Sequence, residues 1–145
     1  MTSPNLENLI QTGQLKSEAP DQREFDGLVG SARARLKDSR NASLALESRF
    51  DLAYNASHAL ALAALRRHGY RSDSRFIVFQ CIPHTLGLGP QVWRVLSHCH
   101  NLRNRGEYEG FLDVSEQLVE DLVKATGSLL EKVDELGPVT DSTPG

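Results

Sequence analysis

Residues 44–68 restrict the fold more than any other stretch. The run from Leu44 to His68 carries alanines at 53, 56, 59, 61, 63 and 64 and contains neither glycine nor proline. Alanine loses no side-chain entropy in a helix and is its best former, so one long helix is expected here, closed by Gly69. Side chains this small let neighbouring helices approach on more than one side, which puts this helix at the centre of a bundle. Its middle, however, carries Tyr54, Asn55, Ser57 and His58, and burying a polar group without a partner costs about 1–3 kcal/mol. These four are therefore expected either to bond across to another helix or to line a cleft. For His58 both a satisfied core histidine and a binding residue fit.

The rest of the chain repeats the helical spacing. Leu6, Leu9 and Ile10 form the apolar edge of a short first helix that Gly13 closes. Asp21 with Glu24 makes a capping-box pattern, after which Phe25, Leu28, Val29, Ala32 and Leu36 recur on one face. A short helix is expected from about Asp73 to Ile82, with Phe76, Phe79 and Ile82 inward and Pro83 ending it. Residues 85–90 read as a turn-rich loop, with Pro90 opening a fifth helix that packs through Val92, Val95, Leu96, Cys99 and Leu102. Asp113 with Glu116 is expected to cap the last helix, whose stripe is Leu118, Leu122, Ala125, Leu129, Val133 and Leu136. No strand candidate competes with these periods. The expected fold is all-α: an up-and-down bundle of four main helices plus one or two short ones, with consecutive helices antiparallel. One domain spans 1–137, and 138–145 reads as a disordered polar tail.

Charge and cysteine content narrow the function classes. The net charge is -3, but residues 21–110 carry 13 Lys or Arg against 9 Asp or Glu, and residues 111–145 carry 2 against 8. An excess of cations therefore accompanies the central part of the chain. Cys81 and Cys99, the two cysteines, match neither a zinc ribbon nor a redox pair, which fits a reducing cytoplasmic setting. No apolar run approaches the roughly 20 residues that span a bilayer, and no membrane role is expected. No cofactor fingerprint is present, since Gly87 and Gly89 follow no strand and are too closely spaced. A metal site is not expected either, because His98 and His100 point to different sides of a helix and no third ligand has suitable spacing.

The chemistry concentrates between His98 and Gly110. Arg103 and Arg105 offer guanidinium forks suited to phosphate oxygens, while His98, His100, Glu107 and Tyr108 could carry protons. The alternative is that both arginines pair with Glu107, Glu109 or the acidic last helix, which contributes ~0–1 kcal/mol per surface pair and requires no function. On an ideal helix Asn104 shares a face with His100 and with Tyr108, whereas Arg103 and Tyr108 lie roughly 140° apart. Gly106 costs about 1 kcal/mol in a helix relative to Ala, so the regular helix is expected to end near Arg105 or Gly106, with 107–110 as a bent exit.

The spacing Arg103-Asn104, three residues, Tyr108, behind an Ala-rich helix with Tyr54-Asn55-Ala56 and then Gly69-Tyr70-Arg71, resembles the HEPN family of small helical-bundle proteins. Nuclease members of that family carry an Arg, usually a polar residue after it, and a His four to six residues further on. The resemblance implies a homodimer with the motif in a cleft between protomers, where the Arg steadies an RNA phosphate and the His handles the 2′-hydroxyl proton without metal. By resemblance Arg103 matches the Arg, Asn104 the polar neighbour and Tyr108 the His position. Tyr suits that task poorly, since a phenol with a reference pKa near ~10 stays almost wholly protonated at neutral pH. His100, one turn before Asn104, is the residue that could serve as the base instead. The expected function is an RNA- or nucleotide-phosphate-binding dimer of toxin or stress-response type, with weak or absent ribonuclease activity. Arg103, Asn104, Tyr108 and His100 form its candidate catalytic set, and Arg105, Asn55 and His58 its candidate binding residues. The competing expectation is a non-catalytic interaction module that partners a nucleotidyltransferase, with Tyr108 receiving a nucleotide group.

Overall fold

The computed structural model describes residues 4–139. Four long helices pack together: α2 (Gln22–Ser39), α3 (Leu46–Arg67), α6 (Pro90–Glu109) and α7 (Glu116–Glu135). Shorter elements are α1 (Pro4–Gln11), α4 (Arg75–Gln80), α5 (Ile82–Thr85) and a two-stranded antiparallel pair, β1 (Lys16–Ser17) with β2 (Tyr70–Arg71). Among the described residues no helix is long and apolar enough to cross a membrane.

The alanine run lies where its composition places it. α3 contacts α2 and α7 along its length and touches α4, α5 and α6 as well. Phe50, Ala53, Tyr54, Ala56, Leu60, Ala63, Ala64 and Leu65 are all fully buried. From α7 come Val119, Leu122, Leu129 and Val133, so the last helix's apolar stripe closes the core. α4 and α5 pack against α3 and α6, and α3 contacts α7 more extensively than α6. The described part of the expected tail is held to the body. Arg67 Nη2 donates to the Pro138 carbonyl at 3.4 Å, and Val139 N–H donates to Gln22 Oε1 at 2.6 Å. The expected tail beyond Val139 lies outside the described residues.

Several local expectations are corrected. Lys16–Ser17 pairs with Tyr70–Arg71, too short a ladder to leave a period in the sequence; it is held by ion pairs as well as by the ladder itself. Glu24 does not complete a capping box. Asp21 alone caps α2, accepting from the N–H groups of Arg23 and Glu24. The Glu24 carboxylate instead receives Arg66 Nε at 2.5 Å and Arg71 Nη2. Arg66 is 2 % exposed, and its other donors reach the carbonyls of Glu18 and Ala19 at 2.9 and 2.7 Å, which satisfies a guanidinium that would be costly to bury unpaired. Burial alone would raise the Glu24 carboxyl, yet the hydrogen bonds from Arg66 and Arg71 hold it below its ordinary range.

Pro83 does not end α4. It sits in the first turn of α5, where its missing N–H leaves no hydrogen bond unmade, and Cys81 joins the two helices. Phe76 faces outward at 43 % exposure, while Ile77, Val78 and Phe79 are buried. Ser115, not Asp113, caps α7 by accepting from Leu118 N–H at 3.1 Å. Finally, α6 runs unbroken through Tyr108 and ends at Gly110, whose φ of 86° is the left-handed C-terminal conformation. Gly106 serves close approach instead of flexibility: a Cβ there would lie 3.1 Å from both Leu112 Cδ1 and the Phe111 carbonyl oxygen, so its absence lets the chain fold back towards α7.

Candidate functional site

Tyr54 anchors a cluster of polar and aromatic side chains drawn from three helices. It is fully buried in α3, and its hydroxyl lies 2.9 Å from His100 Nδ1 on α6. The other ring nitrogen of His100 lies 3.1 Å from the Asn104 side-chain amide, one turn further along α6. Two guanidiniums approach the Tyr54 ring, Arg103 at 5.1 Å and Arg75 at 5.5 Å from its centroid. Around them stand Phe79, with its edge towards both Tyr54 and His100, and Phe76, 6.1 Å from the His100 ring. α3, α4 and α6 therefore each contribute to one site.

Hydrogen-bond accounting settles how the relay runs. A neutral imidazole has one donor and one acceptor, and an amide can present either end. The Asn104 amide nitrogen Nδ2 faces Nε2 and donates to it, so the single ring proton of the neutral imidazole sits on Nδ1 and is donated to the Tyr54 hydroxyl oxygen. Burial, then Arg103 and Arg75, lowers the His100 pKa and keeps the ring neutral. His58, whose ring meets Phe79 edge-on at 5.9 Å, is pushed down to about 4 by burial, by the same two arginines and by His100. Burial also raises the Tyr54 phenol, although Arg75 and Arg103 pull it back in part.

The two arginines differ in their partners. Arg103 bonds Glu107 at 2.9 Å across one turn of the same helix, with the Glu side chain 63 % exposed. An exposed pair of this kind contributes about 0–1 kcal/mol, and Arg preceding Glu is the weaker order on a helix. Arg75 donates to Asn55 Oδ1 at 3.1 Å, and among the described residues no carboxylate pairs with it. An open groove of about 350 Å³ borders Arg103, lined also by Glu47, Asp51 and Phe111.

Of the residues singled out from the sequence, Arg103, Asn104 and His100 come together around Tyr54. Asn55 joins them through Arg75, and His58 joins through Phe79 and through its electrostatic coupling to the arginines. Tyr108 and Arg105 do not join. Tyr108 is 93 % exposed, and Arg105 has no ion-pair partner among the described residues. Ser57 takes a third course that neither expectation covers, donating back to the Tyr54 carbonyl of its own helix at 2.6 Å. Sequence reasoning missed Arg75, Phe76 and Phe79. Their short segment reads as a core helix, and only the placement of Arg75 directly before the apolar run Phe76-Ile77-Val78-Phe79 hints at anything else.

His100 is 9 % exposed and both its ring nitrogens are engaged inside the fold. Cys81 and Cys99, buried and pushed up to about 11 and 12, are not nucleophiles at neutral pH. What the cluster offers is an aromatic frame with two guanidiniums, each within 5.5 Å of the Tyr54 ring centroid. Among the described residues no group of three or more His, Cys, Asp or Glu side chains could hold a metal ion. No protein-family model matches the chain, and no curated protein matches it either.

Proposed function

We propose that this chain is a HEPN-like, up-and-down helical bundle that binds the phosphates of RNA or a nucleotide as a homodimer, with ribonuclease activity weak or absent. The observation that carries the reading is the pair Arg75 and Arg103 over Tyr54, with Arg75 bonded to the Asn55 amide and to Tyr54 but to no carboxylate among the described residues, and Arg103 to an exposed carboxylate. Two planar forks held at one spot suit phosphate oxygens, and a phosphate would replace Glu107 with a stronger charge-assisted pair. Weak or absent cleavage follows from the engagement of His100. With both its nitrogens bonded inside the fold, the cluster lacks a base that could reach a 2′-hydroxyl.

The test is fluorescence anisotropy of a labelled RNA with the intact protein, Arg75→Ala and Arg103→Ala, at several salt concentrations. Each variant is expected to bind more weakly and to flatten the dependence of log affinity on log salt by about 0.7, the loss of one phosphate contact to a single strand. Equal affinity and equal slope in all three proteins would sink the proposal.

A second reading is favoured by Tyr108. Its side chain stands 93 % exposed on the last turn of α6, open to an enzyme that would transfer a nucleotide group to the phenol oxygen. In that case the chain is an interaction module for a nucleotidyltransferase. A nucleotide-sized mass increase that disappears in Tyr108→Phe supports it, and an unmodified protein isolated together with such a partner counts against it.

A further inference from the structure

We infer that Phe76, braced by Trp93, is a stacking platform for an unpaired nucleobase, so that the ligand of this site is single-stranded nucleic acid. The inference rests on the phosphate-binding reading above and adds to it which part of the nucleotide is read. A single exposed aromatic is ordinary on a protein surface. Phe76 differs in three respects. At 43 % exposure it is neither loose nor covered: its ring meets Trp93 at 6.0 Å and 63° and His100 at 6.1 Å and 42°. It follows Arg75 on α4, and although successive side chains leave a helix about 100° apart, both border the same cluster, Arg75 at the Tyr54 ring and Phe76 at the His100 ring. His100 in turn stacks near Tyr54, over which both Arg75 and Arg103 lie, so Phe76 and the two cations border one aromatic cluster.

These features fit one kind of ligand. A ring already packed on one side loses little freedom when its other side is covered, so contact there translates into affinity. A base has a flat apolar face joined to a phosphate, which matches an aromatic beside a guanidinium; free phosphate would leave Phe76 unused. In a duplex the base faces are already stacked on one another and cannot reach a side chain, so the strand must be single. Stacking of this type tolerates every base, and the platform sets strandedness more than sequence.

Trp93 is the single tryptophan of the chain and reports on the platform directly. The intact protein is titrated with a short oligoadenylate, with an abasic sugar-phosphate oligomer of equal length and with an adenine-uracil duplex, following Trp93 emission and anisotropy. The oligoadenylate is expected to quench Trp93 and to bind roughly 5- to 100-fold more tightly than the abasic oligomer, the range that one stacked base provides. Phe76→Ala is expected to erase that advantage while keeping the abasic affinity. Phe76→Leu, which preserves apolar bulk, should do the same and guards against loss of fold. Equal binding of oligoadenylate and abasic oligomer by the intact protein, a duplex bound as tightly as the single strand, or an undiminished advantage in Phe76→Ala overturns the platform and leaves phosphate binding standing. Failure to bind any of the three probes overturns both.

Discussion

Replacing His58 by Leu should remove much of this protein's sensitivity to mild acid. The imidazole is half-buried between Phe79 and the electrostatic influence of Arg75, Arg103 and His100, which holds its pKa at about 4 instead of the ordinary 6.5. Between those two values the unfolded chain binds a proton that the folded chain refuses, so stability rises with pH across the window and falls as pH drops through it. Integrated from pH 7.5 to pH 5.0, such a shift amounts to about 2 kcal/mol, reduced to about 1–2 for a ring that solvent partly screens. His100 is shifted in the same direction and adds to the loss. Glu24 acts in a separate window. Its folded carboxyl is lowered, so the stability it contributes is present above the ordinary carboxylate range and is lost only below about pH 4.5. Urea unfolding at pH 7.5 and pH 5.0 makes the comparison. The intact protein should lose the full amount, and His58→Leu should lose about 1–2 kcal/mol less while being no less stable at pH 7.5. If both lose the same stability between the two pH values, the burial and charge argument for His58 is wrong.

Four further substitutions test the architecture. Tyr54→Phe leaves the buried Nδ1 of His100 without its partner and should cost about 1–3 kcal/mol, read as a melting temperature lower by several degrees; an unchanged melt would mean that the 2.9 Å contact contributes nothing. Gly106→Ala should destabilise despite alanine's better helix propensity, because its methyl meets the Phe111 carbonyl at 3.1 Å and overpacking typically costs about 1–3 kcal/mol against a gain of about 1. A more stable variant in thermal unfolding would show that the turn yields easily. Ser115→Ala should cost about 0.5–2 kcal/mol through loss of the α7 cap, whereas Asp113→Ala should cost almost nothing in the same denaturation assay. The opposite order would restore Asp113 as the cap.

The features legible from the sequence alone are those that depend on local spacing. Apolar residues three and four apart declare an amphipathic helix wherever it ends up, and the alanine run declares a central helix because its small side chains can be approached from several sides. The candidate residues drawn from one stretch, His100, Arg103 and Asn104, lie close together for the same reason, since one helical turn brings them onto neighbouring positions. Tyr54 was visible as a polar group that would require a partner, but its partner was not.

Tertiary structure alone decided that the partner is His100, 46 positions away, and that Arg75 and Phe76 of a short helix complete the cluster. Such pairings depend on how α4 and α6 are rotated against α3, and small rotations of packed helices cost too little, residue by residue, to leave a mark in local composition. The two glycines of α6 make the same point. Gly106 looks like a helix breaker on propensity, a matter of about 1 kcal/mol. It remains helical because the returning chain needs the space its missing side chain leaves, and Gly110 ends the helix because it alone takes the left-handed turn.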